Sequence, residues 1–337
     1  MPQIVQRSLH RLAGAAALVL GSVLACGLSL LAAAPAAAAY PEQPIRLVVP
    51  FPPGGGADNL ARTMMPRVEA RLGQPIVIEN RPGAGGNIGA EQVARAAPDG
   101  YMLLYGTNGT HAINAALYRQ LRFDPQKDFV PVARLTSIPT LLIVGPQVEA
   151  QTVADVIRLA KAQPGRINFA SAGNGTTSHL AGEMFRTQAG IDIVHVPYRG
   201  GAAAATDLIG GQVQMMIEVA ANALPLVRGG RVRALAVASA QRFPGAPEIP
   251  TVAESGLPGF DASAWDGLFA PAGTPRAVVE RLNAAIRDAL SEPALVESLR
   301  RLGVQPVPGT PEDFARHVAA SSETWAAAVR ASGAKVD

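Results

Sequence analysis

Two glycine-rich segments place main-chain donors where a small anion can be held. Pro52-Pro53-Gly54-Gly55-Gly56-Ala57-Asp58 follows the run Ile45–Val49, and Ser171-Ala172-Gly173-Asn174-Gly175-Thr176-Thr177-Ser178 follows Ile167–Ala170. Each segment precedes a helical pattern, so unpaired N–H groups stand at the positive end of a helix dipole. Glycine lets a ligand approach the main chain closely and permits positive φ. The hydroxyls of Thr176, Thr177 and Ser178 add donors. A carboxylate held between two such loops needs no lysine or arginine in contact. The competing reading is a pair of ordinary strand-to-helix turns; two loops this rich in glycine and hydroxyls favour the anion site.

The ligand-binding set read from these segments is Phe51, Pro53, Gly54, Gly55, Gly56, Asp58, Ser171, Gly173, Gly175, Thr176, Thr177 and Ser178. Thr107 and Asn108, in the glycine loop after a third strand, join it. Asp58 reads as an N-cap ahead of the partner of a ligand amine. Tyr198 closes the apolar strand Ile193–Val196 and is placed to line the cleft, with Arg199 beside it as either a carboxylate clamp or a surface charge. Glu218 ends the strand Met215–Ile217, where a buried carboxylate is unusual; it contacts ligand or holds a neighbouring loop. An ionised Glu218 favours a ligand amine or hydroxyl over a second bare carboxylate. Trp265 reads as hinge or core packing.

Enzymatic readings fail on spacing. Neither loop ends in the Gly-Lys-Ser/Thr of a phosphate-cradling loop, and Gly83–Gly89 carries Ile88 where a dinucleotide fingerprint needs its last glycine. No Gly-x-Ser-x-Gly elbow occurs. Ser178 and His179 are adjacent on a helix and do not face each other. His111, His179, His195 and His317 are scattered without metal-ligand spacing, so each reads as structural. No cofactor or metal is expected.

The elements that must position these loops alternate. Strand runs ending in glycine turns and followed by helices recur from Ile45 to Phe185, the signature of α/β sheets with mainly parallel strands. Leu60, Met64, Val68 and Leu72 repeat every four residues before Gly73. Thr274-Pro275 and Thr310-Pro311 each pair an N-cap hydroxyl with proline at the first helical position. The 337 residues suffice for about two domains at ~150 residues each. The expected division is a first lobe over 40–141, a second over 142–262 and a return to the first over 263–337, with crossings at Ser137–Thr140 and Asp261–Trp265.

Residues 1–39 read as a cleaved export signal: Arg7 and Arg11, an uncharged run from Leu12, and Ala37-Ala38-Ala39 before Tyr40. An uncleaved anchor and a lipoprotein signal centred on Cys26 are the alternatives. Removing this segment leaves 27 Lys and Arg against 26 Asp and Glu and no cysteine. That balance argues against a nucleic-acid partner, and the missing thiol excludes disulfides and cysteine nucleophiles. A soluble periplasmic protein is expected.

The order of segments resembles the extracytoplasmic solute receptors of the tripartite tricarboxylate transporter system, also called the Bug family. The resemblance rests on Tyr40–Arg46, Val49–Asp58 (VPFPPGGGAD), Val77–Gly86 (VIENRPGAGG), Ala97–Leu103 (APDGYML), Ala170–Leu180 (ASAGNGTTSHL), Val196–Gly200 (VPYRG), Ala234–Ala238 (ALAVA), Pro250–Phe260 (PTVAESGLPGF) and Trp265–Pro275 (WDGLFAPAGTP). It covers the whole chain after the export signal. It implies a class II periplasmic-binding-protein fold, two α/β lobes with a ligand cleft between them, and a small carboxylate held by the loops at Pro52–Asp58 and Ser171–Ser178. The chain departs from the pattern in Met215–Asn222, where many relatives carry Phe-Asp or Phe-Ala, and Glu218 falls in that stretch. The reading is therefore a monomeric receptor, not an enzyme, that delivers its ligand to membrane permease subunits. A sensor presenting its closed form to a regulatory kinase is the alternative, and an α/β hydrolase the weaker one.

Overall fold

Apolar β-branched runs form the strands, and the four-residue apolar spacing forms the helix that follows the first of them. A computed structural model of the protein describes residues 40–336; the expected export signal, with Cys26, lies outside the described residues. β1 (Ile45–Val49) leads to α1 (Gly56–Leu72), whose Leu60, Met64, Val68 and Leu72 are all buried and which ends at a left-handed Gly73. β2 (Ile76–Asn80) and α2 (Asn87–Ala94) repeat the unit. β3 (Met102–Thr107) runs into a π-helical turn over Gly109–Ile113 and the short α3 (Asn114–Leu117). The long β4 (Phe129–Ile138) is followed at once by β5 (Thr140–Val144). Then come α4 (Val153–Ala162), β6 (Ile167–Ser171), α5 (Thr177–Ala189), β7 (Ile193–Pro197) and α6 (Gly201–Ile209). β8 (Met215–Val219), α7 (Ala220–Arg228), β9 (Arg233–Val237) and β10 (Ala264–Pro271) follow. α8 (Arg276–Leu290), α9 (Pro293–Arg301), β11 (Gln305–Pro306) and α10 (Pro311–Ser332) complete the chain.

Two sheets result, with strand orders β11-β4-β10-β3-β1-β2 and β7-β6-β8-β5-β9. The expectation of mainly parallel strands is corrected. Parallel pairing holds for β2-β1-β3 and β7-β6-β8, whereas β10 and β5 pair antiparallel with both of their main neighbours. The reason is connectivity. A helical crossover returns a strand in the parallel sense, but β5 and β10 enter their sheets directly from the other lobe.

Only Pro139 separates β4 of the first sheet from β5 of the second, and the chain returns between β9 and β10. The two crossings lie side by side. Ala238 N–H donates to Thr140 O at 2.7 Å, Ala262 N–H to Ala238 O at 2.7 Å, and Thr140 Oγ1 to Ala262 O at 3.1 Å.

The C-terminal helices pack on the first sheet: α8 covers β4 and α1, while α10 covers β4 and the π-helical turn and also reaches α5. Trp265 is buried core, its Nε1 donating to Ser321 Oγ of α10 at 2.8 Å and its ring edge-on to Phe314. Thr310 caps α10 in a capping box with Asp313, as its Thr-Pro pair suggested. Thr274 does not cap α8; its hydroxyl donates to Pro271 O at 2.7 Å and Pro275 takes the N-cap position.

Candidate functional site

The first-lobe loop connects β1 to α1. The N-cap is Gly55, in extended conformation, so the N–H groups of Gly56, Ala57 and Asp58 precede the first intrahelical bond, Asn59 N–H to Gly55 O at 2.9 Å. Asp58 is therefore not the N-cap. It sits in the first turn, 2% exposed, and its carboxylate organises the loop: Gly54 N–H donates to Oδ2 at 2.8 Å, Arg62 Nε to Oδ2 at 2.9 Å and Asn80 Nδ2 to Oδ1 at 3.0 Å. Burial pushes its pKa up, but the Arg62 bond and the Gly54 and Asn80 donors outweigh burial and hold it below the usual value. Asn80 also donates to Phe51 O at 3.0 Å, so Phe51 lends its main chain to the same brace. Pro53 and Gly54 are exposed on the outer turn, where Gly54 takes φ 76°.

The second-lobe loop connects β6 to α5, with Thr176 as N-cap accepting from His179 N–H. Its bracing contains no charge. Ala172 N–H donates to Ser178 Oγ at 2.8 Å, Thr176 Oγ1 to Gly173 O at 2.7 Å and Gly175 N–H to His179 Nδ1 at 3.3 Å. Ser171 Oγ lies 2.6 Å from His195 Nε2, and the His195 ring stacks on His179 at 4.0 Å and on Phe169 at 4.9 Å. Burial lowers the pKa of His179 to about 4; burial and the neighbouring His179 lower that of His195 to about 3. Two histidines far apart in the sequence thus form one uncharged prop. Ser171–His195 is a hydroxyl–imidazole pair that spacing did not reveal. Ser171 is wholly buried, so the pair supports the loop instead of presenting a nucleophile. His111 is a core residue, stacked on Phe269 at 3.7 Å and lowered by burial to about 3. Among the described residues no group of three or more His, Cys, Asp or Glu is placed to hold a metal ion.

The lobes meet at these loops. Asn108, buried at the end of β3, exchanges hydrogen bonds with Thr177 at the start of α5: Nδ2 donates to Oγ1 at 2.9 Å and Oγ1 lies 3.1 Å from Oδ1. Thr107 keeps to its own turn, donating its N–H to Thr110 Oγ1 at 3.0 Å. Gly175 has φ 79°, and a Cβ there would lie 3.0 Å from Leu117 and 3.1 Å from Asn114 Oδ1 of the first lobe. Its glycine identity is required by the approach of the lobes, and its N–H is already engaged by His179.

On the far side, Tyr198 turns its hydroxyl to Asp207 Oδ2 at 2.8 Å, which together with burial pushes its pKa up to about 12; Arg199 beside it is exposed. Glu218 is 4% exposed at the end of β8. Asn222 of α7, which sequence reasoning did not single out, donates Nδ2 to Glu218 Oε1 at 2.9 Å. A Cβ on Gly56 would lie 3.8 Å from Asn222 Oδ1, so this pair faces the first-lobe loop. Burial pushes the Glu218 pKa up to about 7 against the Asn222 and Val219 bonds that lower it. The preference for a ligand amine or hydroxyl holds only for an ionised Glu218, and burial works against that form.

Two concave sites lie away from these loops, one of about 450 Å³ lined by Phe243, Pro244, Gly245, Arg300, Gln305 and Pro306 and one of about 410 Å³ beside β9. Neither gathers the donors found between the loops.

Comparison with known proteins agrees with this architecture. Residues 60–334 match the tripartite tricarboxylate transporter family receptor. Protein BugT of Bordetella pertussis is 38% identical over 306 residues, 90% of this chain and 94% of BugT. Among solved structures, an R. palustris protein with adipate superposes with a TM-score of 0.84 at 38% identity, covering 88% of this chain and all of that one. MatC from Rhodopseudomonas palustris with bound malate gives 0.80 at 38% identity, covering 86% of this chain and all of MatC. The fold is the two-lobed α/β fold of periplasmic binding proteins.

Proposed function

Because the chain belongs to the tripartite tricarboxylate transporter receptor family, we propose that it captures a small organic carboxylate between its lobes and delivers it to a membrane permease. One observation carries the reading: the loops of the two lobes approach each other, Asn108 of the first lobe exchanging hydrogen bonds with Thr177 at the start of α5 and Gly56 at the start of α1 lying beside Asn222 of the second lobe. The N–H groups of Gly56, Ala57, Thr177 and Ser178 lack intrahelical partners by position. Charge-assisted bonds from such donors contribute about 1.5–3 kcal/mol each, so two or three orient a small acid.

The paired crossings at Pro139 and Ala262–Ala264 act as the hinge, with lobe boundaries there, and closure brings the two loops onto the ligand. The protein works in the periplasm as a monomer without a cofactor. Adipate and malate, bound by the related proteins, are the first ligands to try. A thermal-shift screen of carboxylates and amino acids tests the reading, since a ligand at 100 times its dissociation constant stabilises by ~2.7 kcal/mol. A carboxylate that raises the melting temperature supports it; a screen answered only by cations or neutral sugars rejects it.

A further inference from the structure

Glu218 is a buried acid with one oxygen accounted for and one not. Oε1 accepts from Asn222 Nδ2 at 2.9 Å, while Oε2 is fully buried without a hydrogen-bond partner among the described residues. A buried polar atom left unpaired costs about 1–3 kcal/mol, so a partner is expected. The carboxyl group lies against the start of α6, where a Cβ on Gly201 would be 3.1 Å from Oε1 and 3.2 Å from Oε2. Asn222 Oδ1 reaches toward Gly56, which puts Glu218 at the second-lobe end of the cleft whose first-lobe end is the α1 N-terminus.

Among the described residues no cation forms an ion pair with Glu218. The surrounding elements bring Asp207 of α6, held by Tyr198; Arg199, exposed on the turn before α6; Arg228 in the last turn of α7; His195 of β7 with His179 of α5, both lowered by burial; and Asp58 across the cleft, tied to Arg62. β5 and β6 carry no charged residue. Burial pushes the Glu218 pKa up to about 7, against the Asn222 bond and the adjacent Val219 main-chain N–H, which lower it.

We propose that Glu218 recognises the far carboxylate of a dicarboxylic acid by donating from Oε2 as the neutral acid, with Asn222 fixing Oε1 so that Oε2 faces the ligand. The inference rests on the carboxylate-receptor reading and adds the residue that holds the second carboxylate. A second carboxylate supplies the acceptor that Oε2–H lacks, and its charge further favours the protonated form of Glu218. Raising the pH removes that proton and sets two anions against each other, so affinity for a dicarboxylate falls while affinity for a matched monocarboxylate changes little.

The test is calorimetric titration of adipate and hexanoate between pH 6 and 9. Wild-type affinity for adipate is expected to fall more than tenfold over that range and affinity for hexanoate less than threefold. Glu218→Gln, which keeps a donor that cannot ionise, binds adipate with a flat profile. Asn222→Asp, which sets a second carboxyl beside Glu218, weakens adipate more than hexanoate and keeps the test open should Glu218→Gln not fold. A pH-independent wild-type affinity for adipate overturns the proposal, as does an equal slope for hexanoate or the wild-type slope persisting in Glu218→Gln. If neither acid binds at any pH, the carboxylate-receptor reading itself fails, a separate result from a flat profile.

Discussion

The two glycine loops are built on one plan and braced by opposite means. In the first lobe a buried carboxylate, Asp58, gathers a main-chain donor, an arginine and an asparagine. In the second lobe hydroxyls and two stacked neutral imidazoles do the same job without a charge. The strand–glycine–helix motif thus fixes where donors point, while the bracing decides what breaks the loop. A charged brace is sensitive to loss of its carboxylate. An imidazole brace is sensitive to gain of a proton.

The largest expected effect comes from Asp58→Ala. It leaves Gly54 N–H and Asn80 without their buried acceptor and Arg62 without its partner, and is expected to cost about 3 kcal/mol in urea unfolding and to weaken ligand binding more than tenfold. Asp58 has a depressed folded pKa, so its contribution is present above its ordinary value of 3.8 and is lost as pH falls through the lower folded value.

Acid separates the loops next. His179 has its pKa lowered from 6.5 to about 4, so the unfolded chain takes up a proton that the folded one refuses. Stability is expected to fall as pH drops from 6.5 toward 4, by roughly 3 kcal/mol from this residue at pH 4. His179→Gln, which retains an acceptor for Gly175 N–H, flattens that part of the pH–stability curve; an unchanged slope assigns the loss elsewhere.

Glycine substitutions sharpen the contrast further. Gly175→Ala meets a left-handed φ and the facing Leu117 and Asn114, and is expected to cost about 1–2 kcal/mol of backbone strain and to weaken binding more than tenfold by holding the lobes apart. Gly55→Ala sits at φ −76° with one contact, Pro52 O at 3.3 Å, and is expected to change affinity less than threefold. The two loops looked interchangeable in the sequence and are not.

What the sequence made legible was local. Strand runs, the α1 spacing and the glycine turns each leave a short-range pattern, and they located the N-termini of α1 and α5. Pairings across the fold leave no period. Asp58 reads as a cap because it follows glycines, and its tie to Asn80 depends on β2 lying beside β1. His179 and His195 looked scattered because β6, β7 and α5 bring them together. The raised pKa of Glu218 follows from burial, which depends on the whole second lobe. The crossing at Ser137–Thr140 is legible, but the antiparallel entry of β5 and β10 is not, because the sense of a strand depends on the neighbours that its sheet supplies.

The most direct test of the central claim is to follow backbone amide resonances during titration with adipate. Capture between the loops is expected to move the N–H signals of Gly56 and Ala57 together with those of Thr177 and Ser178, at one common saturation point and more than any amide elsewhere. Shifts confined to one lobe, or centred on Arg199 while these four amides stay still, would contradict a carboxylate held between two helix N-termini.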